Sequence, residues 1–210
     1  MDFWTARIKP ILNAALEQRD AYTAGHCWRV GALAVALAQA CSLSEHEVSL
    51  LRVVAQFHDI GKIGLPDAVL LKPGPLDADE WEIVKTHSAR GEQIIRSDPY
   101  LAQVQEAALT IRHHHEYYDG RGYPDGLRGQ AIPLLSRVIS IVDSYDAMTT
   151  RRVYQASRSH DETMSILSSE RGTKQDPEIL DVFQSLDEAW FKQLNMVSEI
   201  GDRPCTAGMP

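Results

Sequence analysis

Cysteine is scarce. The chain of 210 residues holds three, Cys27, Cys41 and Cys205, an odd count with no C-x-x-C spacing. That argues against a disulfide framework and against a thiolate zinc site, and leaves reduced, mostly buried thiols as the expectation. Long apolar runs are missing too: none approaches the ~20 residues that a bilayer-spanning helix needs. The opening MDFWTARIKP lacks the basic-then-apolar order of a secretory signal. Both absences predict a cytoplasmic protein. Nor is there an excess of positive charge. A net charge of −8 argues against a duplex-binding surface, which would need a basic patch to release phosphate counterions. A small anionic ligand remains open, because bound metal ions invert the local field of an acidic protein. Alternating strand patterns, internal repeats, low-complexity runs and linkers are absent as well.

What is present is helical periodicity. Apolar residues recur at near-helical spacing over 3–18 and over 26–41. Ser44 with Glu47 is a capping-box signature, and opens a helix running to about Ile60. Asp77 is the N-cap of the next helix. A further helix spans 99–116 and ends in "HHHE", and the strongly apolar "LLSRVISIVDSYDAMTT" makes another. Two more lie near 160–171 and 177–196. The length suits one domain with a sizeable core. The expected architecture is all-α and single-domain: a helical lead-in over 1–20, the main bundle over 21–198 and a flexible tail over 199–210.

This pattern is interrupted by ionisable residues. His26, His58, Asp59, His87, His114, His115 and Asp143 each fall inside or at the end of an apolar helix. A buried ionisable group costs several kcal/mol unless it is paired or bound to a metal. One such residue needs no special account; seven on five segments call for a common one. Imidazole and carboxylate without thiolate suit iron, manganese, zinc or nickel. Neighbours in a helix point about 100° apart, so His58 and Asp59 share a site only if the helix end distorts or Asp59 bridges two ions. Two ions about 3.5–4 Å apart are a common device for phosphoester hydrolysis, because they lower the pKa of water and neutralise charge on the phosphoryl oxygens. Lys62 lies one turn beyond His58, on the same helical face, where it could meet a phosphate.

The motifs sharpen this. "HDIGK" resembles the HD superfamily of metal-dependent phosphohydrolases. "HHHEYYDGRGYPDGLRGQAIP" resembles its HD-GYP subgroup, with Gly122, Tyr123 and Pro124 as the triplet. "AYTAGHCWRV", "IGLPDAVLLKPGPLDADEW" and "IVDSYDAMTTRRVYQ" extend the likeness over roughly 20–185. The resemblance implies a bundle of five core helices with added ones. It implies a phosphodiesterase that cuts cyclic di-GMP, a bacterial second messenger, to pGpG and on to GMP. It implies His26, His58, Asp59, His87, His114, His115 and Asp143 as metal ligands, with Asp59 the bridge and iron or manganese the metals. Lys62 and Arg152 match phosphate-contacting positions, which makes Asp59 and Lys62 the catalytic candidates. Tyr123 matches a residue lining the guanine cleft. A glutamate that supports a third metal in some members is Tyr22 here, which favours two divalent ions. Val153 and Gln155 replace an expected proline and basic residue beside Arg152, and predict weaker substrate binding. A partner protein docking on the GYP loop is a further expectation from the likeness, and the apolar stripe of the N-terminal helix leaves a homodimer open.

Two other readings follow from the same residues. The HD residues are shared with hydrolases of other cyclic dinucleotides or nucleotides. A feebly active sensor of cyclic di-GMP, or an interaction domain, would also keep the cluster; binding without turnover would mark it.

Overall fold

The computed structural model describes residues 9–97, 105–150, 157–187 and 191. Among them are nine α-helices and no strand: α1 (Lys9–Arg19), α2 (Ala21–Ala40), α3 (Glu45–Val54), α4 (Asp67–Leu70), α5 (Ala78–Arg96), α6 (Gln105–Arg112), α7 (Leu134–Thr149), α8 (His160–Ser169) and α9 (Pro177–Gln184). The helix starts are written in the sequence. Ser44–Glu47, Asp77–Glu80 and Ser159–Glu162 are reciprocal capping boxes. Asp20 caps α2 by accepting from the Tyr22 amide at 3.1 Å, and so moves that helix start ahead of the apolar run.

The core forms around α7. Leu135, Val138, Ile139, Ile141, Val142 and Tyr145 are all buried, so this helix is enclosed on most sides. Helix α2 lies across it and presents Val30, Leu33, Ala34 and Leu37, an i, i+3, i+4, i+7 stripe. Leu16 of α1 joins the same core. Helices α5 and α6 pack together beside the turn that carries Asp59 and Lys62. No helix among the described residues is long and apolar enough to cross a membrane.

Four helix ends differ from the periodic reading. The helix expected to reach Ile60 ends at Val54 and tightens into a 3-10 turn at Ala55–Phe57. His58 and Asp59 follow as turn residues, and a second 3-10 segment spans Ile60–Gly64. Burial of Ala55, Phe57 and Ile60 continues through this change, so apolar spacing could not report it. The helix expected over 99–116 is α6, and His113, His114 and His115 occupy the turn after it. Residues 99–104 lie outside the described residues. The last two helices stop at Ser169 and Gln184 among the described residues.

Candidate metal centre and its cleft

The turn at 58–59 resolves the geometry that a straight helix forbids. His58 Nε2 sits 3.6 Å from Asp59 Oδ2. From α5, His87 Nε2 comes within 3.2 Å of Asp59 Oδ1 and 3.3 Å of His114 Nε2. The turn after α6 sets the rings of His114 and His115 side by side at a tilt, with centroids 4.0 Å apart. From α2, His26 Nε2 lies 3.0 Å from Asp143 Oδ1 on α7 and 4.0 Å from Asp59 Oδ2. Two groups of ligand atoms result, one of Asp59, His87, His114 and His115 and one of His26, His58 and Asp59, each with its atoms within 4.8 Å of one another. Asp59 belongs to both.

The tautomers suit cations. His58, His87 and His114 each donate Nδ1–H to the carbonyl three residues earlier, at Ala55, Val84 and Ile111, over 2.6–2.7 Å. Their Nε2 lone pairs therefore face one another across the site. His58 Nε2 and Asp59 Oδ1 are buried without a hydrogen-bond partner. Buried polar atoms left in that state are costly, and a divalent cation would satisfy them. The donor set, imidazole and carboxylate without thiolate, thus fits a divalent cation such as iron, manganese or zinc.

Charge is balanced closely. Burial penalises an ionised Asp59, but the Lys62 ammonium beside it outweighs this and holds its carboxyl well below the usual range. The Lys62 ammonium donates to Asp59 Oδ2 at 2.6 Å. Lys62 therefore reaches the site through the 3-10 segment rather than along a helical face. Burial pushes His114 down to about 3, helped by the neighbouring His58 and His87. His26 goes the other way. Burial opposes its imidazolium, but hydrogen bonds to Asp143 and Asp146 outweigh this and raise it to about 9.

These shifts set a stability profile for the metal-free protein. Unfolded histidines titrate near 6.5. Below that, the unfolded chain takes up protons that folded His114 refuses, so stability falls as pH drops. Above it, folded His26 holds a proton longer than the unfolded chain, so the stability it contributes is lost as pH rises toward 9. The thermal midpoint of chelator-treated protein should peak near pH 6 to 7; a midpoint that climbs steadily from pH 6 to 9 would contradict the assignment.

The residues predicted from sequence converge, with one exception: Arg152, with Val153 and Gln155 beside it, lies outside the described residues. Three contributors escaped the sequence reading. Asp146 Oδ2 pairs with His26 Nδ1 at 2.7 Å and fixes the ring's orientation. Arg29 forks onto the same carboxylate at 2.7 and 3.0 Å. The spacing of Asp143 and Asp146, one turn apart on one helix face, was the available signal. Asp146→Ala should weaken metal binding about 10- to 100-fold with the helical circular dichroism retained, as read by metal titration. Glu116 is the third. Its buried carboxylate accepts from the Asp125 and Leu127 amides at 2.7 and 3.1 Å, while Arg112 and His113 hold the Asp125 side chain. This ties the glycine-rich loop back onto α6. Gly122 fits only without a side chain, since a Cβ there would lie 2.2 Å from the Tyr117 nitrogen. The loop sets Tyr123 against His115, centroids 4.9 Å apart.

Asp59, Lys62, His87, His115, Tyr123 and Asp143 line a cleft of about 420 Å³. Fold and site together define a helical domain with a buried histidine–carboxylate cluster at its cleft. The chain matches the HD domain family over residues 8–179 and belongs to that family, in its HD-GYP group. It is 40% identical over 170 residues to the cyclic di-GMP phosphodiesterase response regulator RpfG of Xanthomonas campestris, covering 81% of this chain and 45% of that protein. It is 37% identical over 163 residues to 3'3'-cGAMP-specific phosphodiesterase 3 of Vibrio cholerae, covering 78% of this chain and 35% of that protein. The chain thus spans half or less of the length of these relatives. A solved cyclic GMP-AMP-specific phosphodiesterase from V. cholerae superposes with a TM-score of 0.64 at 19% identity, over 88% of this chain and 50% of that one, which supports the helical fold.

Proposed function

We propose that this domain hydrolyses cyclic di-GMP, and that His26, His58, Asp59, His87, His114, His115 and Asp143 hold two divalent ions, iron or manganese, with Asp59 between them. The observation that carries this is Asp59, which is common to both ligand groups and lies at the cleft. When bound, the cations supply Lewis acidity to water and to the phosphoryl oxygens.

The chain's own groups do the rest. Lys62, held by Asp59, directs its remaining N–H bonds toward a non-bridging phosphate oxygen. Burial raises the Tyr123 hydroxyl above its ordinary range, so it stays a neutral donor beside a purine face. Arg152 is assigned as a second phosphate contact from its motif position. The product of this reading is linear pGpG, which only a second cut would convert to GMP.

The test is turnover by protein purified without oxygen and supplied with Fe(II) or Mn(II), with bound metal counted. Hydrolysis with about two ions per chain is expected. A metal-loaded protein that binds the dinucleotide and leaves it intact would sink the enzyme reading in favour of a sensor. The likeness to a cGAMP-specific enzyme favours one second reading, hydrolysis of a mixed cyclic dinucleotide.

A further inference from the structure

The cleft has a second lobe. A pocket of about 240 Å³ adjoins it and shares Trp81, His115, Tyr123, Asp143 and Ala147 with the first. A cyclic dinucleotide carries two bases on opposite sides of its phosphates, and the two lobes meet at Asp143. The second lobe adds Tyr117, Glu170 and Lys174.

These residues are held firmly. The Glu170 carbonyl accepts from the amides of Thr173, Lys174 and Gln175, which closes the turn after α8. The same turn is fastened to the glycine-rich loop, since Tyr118 and Asp119 donate their amides to the carbonyls of Lys174 and Thr173. Gln175 is fully buried, and its Nε2 lies 3.0 Å from Glu170 Oε2 and 3.1 Å from Ser144 Oγ. It therefore pins the carboxylate from behind. Lys174 Nζ stands 3.7 Å from that carboxylate and 5.8 Å from the Tyr117 ring centroid. An acceptor and a cationic donor thus sit side by side, both partly exposed, between aromatic walls. Trp81 on α5 is half exposed at the junction of the lobes and offers a stacking face.

The Watson–Crick edge of guanine matches this pair. It presents an acceptor, O6, next to two donors, N1–H and the 2-amino group. Adenine presents the reverse at those positions, an amino donor where Lys174 would meet it and a bare N1 where Glu170 would. We propose that this lobe is a guanine pocket in which Glu170 accepts from N1–H and the 2-amino group while Lys174 donates to O6. The proposal rests on the cyclic-dinucleotide reading and adds the residues that select the base.

The experiment compares kcat/KM for cyclic di-GMP, 3',3'-cyclic GMP-AMP and cyclic di-AMP in the metal-loaded chain, in Glu170→Gln and in Lys174→Met. The expected result is a preference of the parent for cyclic di-GMP over cyclic di-AMP. Each variant should narrow that ratio about tenfold or more, chiefly through KM. Because the ratio compares two substrates on one protein, a general loss of folding or metal cancels from it. A ratio unchanged within about twofold in both variants, or a parent that cleaves both substrates equally, would overturn the pocket. A parent that cleaves no cyclic dinucleotide would overturn the underlying reading, and the pocket with it.

Discussion

Asp59→Ala should abolish turnover, with a loss of at least about 10³-fold. The reason is its position. Its two oxygens face His87 at 3.2 Å and Lys62 at 2.6 Å, and it belongs to both ligand groups. Deleting any single histidine takes one ligand from one group; deleting Asp59 takes one from each. Metal content should fall from about two ions per chain to one or none, measured by elemental analysis after anaerobic loading. The variant also leaves the Lys62 ammonium facing a histidine cluster with no carboxylate between. Asp59→Asn keeps the shape and serves as the folding control. Retention of both ions and of substantial hydrolysis in Asp59→Ala would rule out the bridging role.

Gly61→Ala should be the most damaging conservative change outside the ligands. A Cβ at that position would lie 1.9 Å from the His87 carbonyl oxygen and 2.5 Å from the Gly91 nitrogen. Both are backbone atoms of α5, so no rotamer change relieves the contact. The segment or the helix must move apart, costing about 3 kcal/mol or more. Residues 59 and 62 flank the glycine and His87 is the clashing residue, so the same movement separates Asp59 from His87. Chemical denaturation should show a clearly lower midpoint, and metal affinity should fall with it. An unfolding free energy within about 0.5 kcal/mol of the parent's would show that this close approach is wrong.

The helical class and most of the site were legible because they rest on local signals. Capping residues mark helix starts wherever they fall, and Ser44 and Asp77 did so here. Seven ionisable residues on apolar segments exposed the cluster without any knowledge of how the segments meet. Asp146, Arg29 and Glu116 were not legible in the same way. Each acts on a partner made by folding: Asp146 on a ring 120 positions away, and Glu116 on amides across a loop. Asp146 shares the apolar helix of Asp143, so its spacing marks a second buried acid without naming the partner, and Glu116, beside three histidines, carries no mark of one. The ends of α3 and α6 were misplaced for another reason. Hydrophobic spacing tracks burial, and burial persists when a helix tightens into a 3-10 turn.

Three of the histidines lean on the carbonyl three residues behind them. Their aim is therefore a property of the main chain, not of the surrounding side chains. Replacing neighbours around the site can change its polarity or its volume, but it does not turn these rings. What turns them is loss of the helical turn that supplies each carbonyl. Release of a bound metal would then be tied to breathing at the ends of α3 and α6 and within α5, and its off-rate would gauge local unfolding in three separate parts of the fold.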